Sequence, residues 1–334
     1  MICALLSGAT AQAQWQHKLE GPTSLAFSPD SKTLAAGSIE GWLSPGDLRV
    51  WNVVTGQQLH RVRYVFGVQD LQYSPDGKTL AVATLVEKAQ NTIRLWDVKS
   101  WRTKDTLGGA QYVNSISYSP DGRRLAIGSN MGENGEIAPA VLWNVPKRMS
   151  RELPRSEGLG RLLFSPRGQT ILGAFYSGYY NNDRQDLRAW EVDGRLLWKH
   201  SQLYLSGVAW LPDGQHFLNG VGGPRDAMKN KLKRQEGFLQ IRDTATGQIS
   251  ATLKQSVPVT AVAVSSDGKI WASGGTDGSV RLWNARTRKI TVTLPLHQSA
   301  IVNLKFSPDG PFLASASRGF GPVHDDSVHL TKVN

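Results

Sequence analysis

One four-residue turn, written seven times along the chain, limits what this polypeptide can become. Its form is Ser-Pro-Asp-Gly, and its third position falls at Asp30, Asp76, Asp121, Arg167, Asp213, Asp267 and Asp309. The intervals are 46, 45, 46, 46, 54 and 42 residues. A period of that length marks a repeat array, in which each unit buries its apolar face only against its neighbours. The 334 residues, which length alone would divide between two domains, are therefore read as seven copies of one unit.

Within each unit the pattern is that of short strands. Two residues before the turn's second position stand Phe27, Tyr73, Tyr118, Phe164, Trp210, Val264 and Phe306. Two further back stand Leu25, Leu71, Ile116, Leu162, Val208, Val262 and Leu304. Apolar residues at alternate positions before Pro-Asp-Gly read as a half-buried strand entering a tight turn, since Pro presets φ and Gly accepts positive φ. A second apolar segment follows, as in Thr33 to Ser38 or Leu313 to Ser317. A third strand ends in a slot held by Trp51, Trp96, Trp143, Trp190, Arg242, Trp283 and Thr331, and a fourth follows, such as Gln58 to Arg63. Four strands per unit without helical periodicity predict an all-β radial array.

These turns, together with Leu-Arg-Val-Trp, Ile-Arg-Leu-Trp and Val-Arg-Leu-Trp before Asn or Asp, resemble the WD40 repeat family in a divergent, bacterial-looking form. The resemblance covers residues 15 to 334 and implies a single seven-bladed β-propeller domain of four-stranded antiparallel blades. It also implies how the ring closes. Trp15 to Leu19 is a strand without a partner, and the last repeat has no fourth strand, so pairing the two would remove both exposed edges. A periplasmic TolB-like propeller is the runner-up, because it shares the turn but not usually the Arg-Leu-Trp-Asp strand. In the WD40 family a His, a Ser/Thr, an Asp and the Trp often form a buried network. Here His297 has the His register in a blade with Thr331 in the Trp slot, whereas Ser273, Asp277 and Trp283 share a blade with Gln255. No blade has the full set, so apolar packing is expected to carry the array more than those networks. Arg49, Arg94, Arg188 and Arg281 recur in register and are read as a feature of the third strand.

Composition narrows the function classes. With 40% hydrophobic and 19% charged residues the chain is not globally disordered, and one cysteine excludes an internal disulfide framework or a multi-thiolate metal site. The longest apolar run, Ile2 to Leu6, is too short to span a bilayer. Residues 1–14 are read as a tail, in which the apolar start and the triplet Ala11, Gln12, Ala13 look like the end of a secretory leader lacking its basic region. Export to the periplasm or beyond is favoured over a cytoplasmic location.

Repeats differ most where partners are met. From the turn to the Trp slot the spacings are 21, 20, 22, 23, 29, 16 and 22, whereas from that slot to the next turn they run only from 23 to 26. The variation therefore lies between second and third strands, in loops that the resemblance places on one end of the ring. The residues expected to form an interaction face there are Trp42, Tyr179, Tyr180, Asp183, Arg184, Arg225, Lys229, Lys231, Lys233, Arg234, Phe320 and His324. Packing within their own loops, or a solvated charge run for the Lys cluster, is the competing explanation.

No nucleophile elbow, zinc-protease helix motif or nucleotide-binding glycine loop occurs. His324, Asp325 and Asp326 read as a hydrated loop before they read as a metal or acid/base site, and the spacing of Asn181, Asp183 and Gln185 lacks the Gly and Glu of a calcium loop. No catalytic residue, metal or cofactor is assigned. The expected function is a monomeric, non-catalytic scaffold binding a protein or peptide. The alternative is an enzyme or small-ligand binder with its site at the channel mouth. The formal charge of +11 raises nucleic acid as a partner. It is not expected, because the loop segments sum to −4 and leave +15 for the rest of the chain.

Overall fold

A computed structural model of the chain describes residues 11–41, 44–84, 91–110, 113–129, 138–156, 159–176, 185–202, 205–222, 236–319 and 325–333. Those residues form 28 strands in seven four-stranded antiparallel sheets, with no helix. Blade 1 shows the unit: β2 (Pro22–Phe27), β3 (Thr33–Ser38), β4 (Gly46–Asn52) and β5 (Gln58–Tyr64), in that order from channel to rim. The following blades repeat it, each with its first strand innermost, and blade 7 ends with β26 (Ile301–Phe306), β27 (Phe312–Ser317) and β28 (Ser327–Val333).

The missing rim strand of blade 7 is supplied by β1 (Ala11–Lys18), antiparallel to β28 in a register that pairs Ala11 with Val333 and Lys18 with Ser327. Closure is thus as the resemblance implied, though the strand begins earlier than Trp15. Ala11, Gln12 and Ala13 lie opposite Val333, Lys332 and Thr331.

The core is divided among the blade interfaces. Each of the seven holds one apolar cluster. Between blades 7 and 1, for example, Leu25, Leu34 and Trp51 meet Val328 and Leu330, all buried. Alternation along the innermost strand explains this. Leu25 points to the preceding blade and Ala26 to the next, so both strand faces are buried and only the strand edge faces the channel.

That edge would present unpaired N–H groups, and polar side chains of the preceding blade cap several of them. Asp70 accepts from Ile116 N–H at 2.8 Å and from the Ser24 hydroxyl at 2.5 Å. Gln72 Oε1 accepts from Tyr118 N–H at 2.7 Å, and Ser115 and Ser117 Oγ accept from Leu162 and Phe164 N–H, each at 3.1 Å.

The repeated turns share one backbone form on one face, closed by the same backbone bond in all seven. Ser74 Oγ donates to Asp76 at 2.6 Å, and Asp76 accepts from Lys78 N–H at 3.0 Å. The serine hydroxyl holds the Asp30, Asp76 and Asp121 carboxyls below the usual range. The fourth turn position has positive φ throughout, and where Ser31 replaces glycine φ is still 59°. Its hydroxyl accepts from Asp309 N–H at 3.1 Å, joining the first turn to the last.

The polar networks are present in abridged form. His297 is bonded through Nε2 to Ser315 Oγ at 2.8 Å and through Nδ1 to Ser327 Oγ at 3.0 Å. In blade 6, Ser273 donates to Gln255 Oε1 at 2.6 Å and accepts from Trp283 Nε1 at 2.8 Å. In blade 5 the slot holding Ser273 and Ser315 contains Asn219, which accepts from Arg242 Nε at 2.8 Å. Blades 1 to 4 carry Ala36, Val82, Ile127 and Gly173 there. The expectation of apolar packing therefore describes four blades, and three use polar networks.

Candidate interaction face

Antiparallel blades put alternate connections on opposite ends of the ring. The repeated turns and those joining third to fourth strands occupy one face, while the loops between second and third strands share the other with the links between blades. All twelve residues named for the interaction face, from Trp42 in blade 1 to His324 in blade 7, lie outside the described residues. What can be described are the bases of those loops.

At the base of the last loop, both carboxylates are committed to the structure of the closing blade. Asp325 accepts from Gln298 N–H at 2.6 Å and Ser327 Oγ at 2.9 Å. Burial raises its carboxyl, but these bonds outweigh that and hold it below the usual range. Asp326 accepts from Gly21 N–H at 3.0 Å and Gly319 N–H at 2.8 Å, tying the loop to the β1–β2 link. The carboxylates here are structural, and no cluster of three metal-ligating side chains occurs among the described residues.

The first loop rises from a charged depression of about 470 Å³ between the end of β1 and the rim of blade 1. Asp47, 2% exposed, lies at its floor with its N–H on Ser38 Oγ at 3.0 Å. Three guanidiniums converge on this carboxylate: Arg49 at 2.8 Å, Arg61 at 3.1 Å and Arg63 at 3.4 Å. Burial raises the Asp47 carboxyl, and the bonds from Arg49 and then Arg61 outweigh it and pull it below the usual range. Arg63 also meets Glu40 at 2.5 Å, and Arg49 donates to the Lys18 carbonyl at 3.1 Å. Lys18 and Glu20 complete the wall.

This geometry explains the recurrent arginine of the third strand. Arg49 and Arg188 each bond the aspartate two residues earlier, and Arg281 bonds Asp277 at 2.6 Å. Arg94 instead lies over the Tyr64 ring. The reading of stems along the sheet thus needs a charge partner added to it. The signal was an Asp-x-Arg spacing at 47–49 and 186–188, and the fourth-strand Arg61 and Arg63 across from it.

The family model for "WD domain, G-beta repeat" matches residues 13–52, 58–97, 101–135, 247–284 and 288–330, together more than half of the chain. The chain is 37% identical over 117 residues to the Periodic tryptophan protein 2 homolog of Caenorhabditis elegans, covering 35% of this chain and 12% of that protein. It is 36% identical over 74 residues to WD repeat and SOCS box-containing protein 1 of Mus musculus, 22% of this chain and 16% of that one. It is 25% identical over 314 residues to Autophagy-related protein 16 of Arabidopsis thaliana, covering 90% of this chain and 55% of that protein. The chain thus spans from 12% to 55% of the length of these relatives.

Proposed function

Because this chain belongs to the WD40 repeat family, we propose that it is a non-catalytic scaffold, binding a protein or peptide on the face built by the loops between second and third strands. One observation carries the reading. The two ends of the ring differ in kind, a circle of turns of one length and backbone form at one and loops of unequal length and composition at the other. The acidic and imidazole groups described at the base of the last loop, Asp325, Asp326 and His297, are bonded into the closing blade. Binding energy in such a platform comes from a few aromatic and arginine anchors on loops positioned by a rigid frame.

A monomer located outside the cytoplasm completes the proposal. It rests on a ring that closes through its own first strand and on the composition of residues 1–13. The decisive experiment shortens the loops of blades 4 and 5 to the length of the blade 6 turn, Thr276 to Ser279, and compares partner capture with the full chain. Loss of a partner from the shortened but folded ring is expected. Undiminished capture would remove the loop face from the model.

A further inference from the structure

The depression on blade 1 sets like charges on facing strands. In the antiparallel pairing of β4 with β5, Arg49 lies directly opposite Arg61 and Asp47 opposite Arg63. Like charges facing each other across a ladder are destabilising. Their compensation is a single oxygen, Asp47 Oδ2, shared by Arg49 and Arg61. Blade 4 supplies an internal reference. There Asp186 joins Arg188 at 2.9 Å and Lys199 at 3.0 Å, and its third partner is the Ser201 hydroxyl at 2.9 Å. Two cations on one carboxylate are thus a recurring feature of the blade. Blade 1 adds a third, and Lys18 arrives beside it from β1, so that four cations face the three carboxylates Glu20, Glu40 and Asp47.

Arg61 and Arg63 are about half exposed, 51% and 48%, whereas Asp47 beneath them is covered. A guanidinium has five N–H donors in a planar fork that matches two oxygens of a carboxylate or phosphate. Arg61 meets Asp47 through one terminal nitrogen and lines the depression, whereas Arg63 is shared between Glu40 and Asp47. The buried carboxylate orients the guanidiniums before any ligand arrives, which lowers the ordering cost of binding. We infer that this depression is an oxyanion-binding pocket, taking a carboxylate or phosphate monoester presented by an acidic peptide segment, with Arg61 and Arg63 as its contact residues. It rests on the scaffold reading and names the chemistry of the partner.

The test is a fluorescence-anisotropy titration of the full chain with three labelled peptides of equal length, rich in glutamate, in phosphoserine and in glutamine. The first two are expected to bind more weakly as salt rises, and the glutamine peptide to be without effect. Arg61→Ala/Arg63→Ala should weaken binding by roughly tenfold or more, because it removes charge-assisted bonds. Both side chains lie on the exposed face of the rim strand, and Arg49 still pairs the buried Asp47 carboxylate in the variant, whose melting temperature is measured beside its affinity. Arg286→Ala/Lys289→Ala, which lowers the charge equally on the opposite turn and rim, should change affinity by less than about twofold. Tighter binding of the phosphoserine peptide would identify a phosphorylated segment as the source, and tighter binding of glutamate an acidic one. Absence of binding at low salt, equal loss in both variants, or equal binding of glutamine would overturn the pocket. Loop shortening leaves this titration intact, so failure of the pocket and failure of the loop face are told apart.

Discussion

His297 shows how one side chain sets a condition on the whole ring. It is buried, its ring centroid lies 4.1 Å from that of His329 at a tilt of 50°, and it is bonded to two serines. Burial, then the neighbouring His329, pushes its pKa down to about 3, against the opposing pull of Asp325. Burial lowers His329 as well. In the unfolded chain an imidazole titrates near 6.5. Between these values the unfolded state binds a proton that the folded state refuses, so stability falls as pH drops from about 6.5 toward 3. The slope is at most roughly 1.4 kcal/mol per pH unit for this group. Gln255 occupies the same slot in blade 6 and accepts from its own serine. His297→Gln is therefore expected to fold normally at pH 7.5 and to flatten the acid dependence, read as melting temperature from pH 4.5 to 8. An unchanged slope would place the proton elsewhere.

At the scale of the strand, β1 repeats a device used inside the ring. Trp15 donates its indole N–H to the Val53 carbonyl at 2.8 Å, and His17 bonds the Gly56 carbonyl at 2.8 Å. In the rim strand of blade 4, Leu196–Gln202, Trp198 makes the same bond to the Thr244 carbonyl and His200 bonds the Thr246 carbonyl, one residue before the equivalent glycine, both at 2.8 Å. Gly56 and Gly247 have φ of 69° and 70°, and a Cβ on either would collide with the tryptophan, so glycine is required on two grounds. The shared Trp-x-His was readable in the sequence as a rim-strand signature. Trp15→Ala should destabilise by roughly 2–4 kcal/mol, since it removes a large interface contact and orphans a carbonyl. Equilibrium urea unfolding measures it, and a change below about 0.5 kcal/mol would mean that β1 is held by backbone pairing alone.

For the whole molecule, closure is the event on which stability depends. Removing residues 1–18 should expose β28 as an unpaired edge and strip the blade 7 and blade 1 interface of Trp15. The expected result is a lower melting temperature with early proteolysis at blade 7, reversed by a peptide of residues 11–20 added in excess; an undiminished transition would contradict it. The halves of the ring are built differently. Blades 1 to 3 send Ser24, Asp70, Gln72, Ser115 and Ser117 to neighbouring inner strands, whereas in blades 5 to 7 Asn219, Ser273 and Ser315 on the second strand each hold a polar network. By itself the sequence determined the seven units, their turns, the strand order and the closing pair, because period, alternation and turn chemistry are local and repeat. It also separated the charge of the variable loops from that of the remaining chain. Only the tertiary structure decided which polar side chains answer each other across blades, that Asp326 ties the last loop to the β1–β2 link, and that Asp47 gathers three arginines. Those are contacts between side chains brought together by curvature and register, and no spacing along the chain records where a rim strand's arginine meets a buried carboxylate.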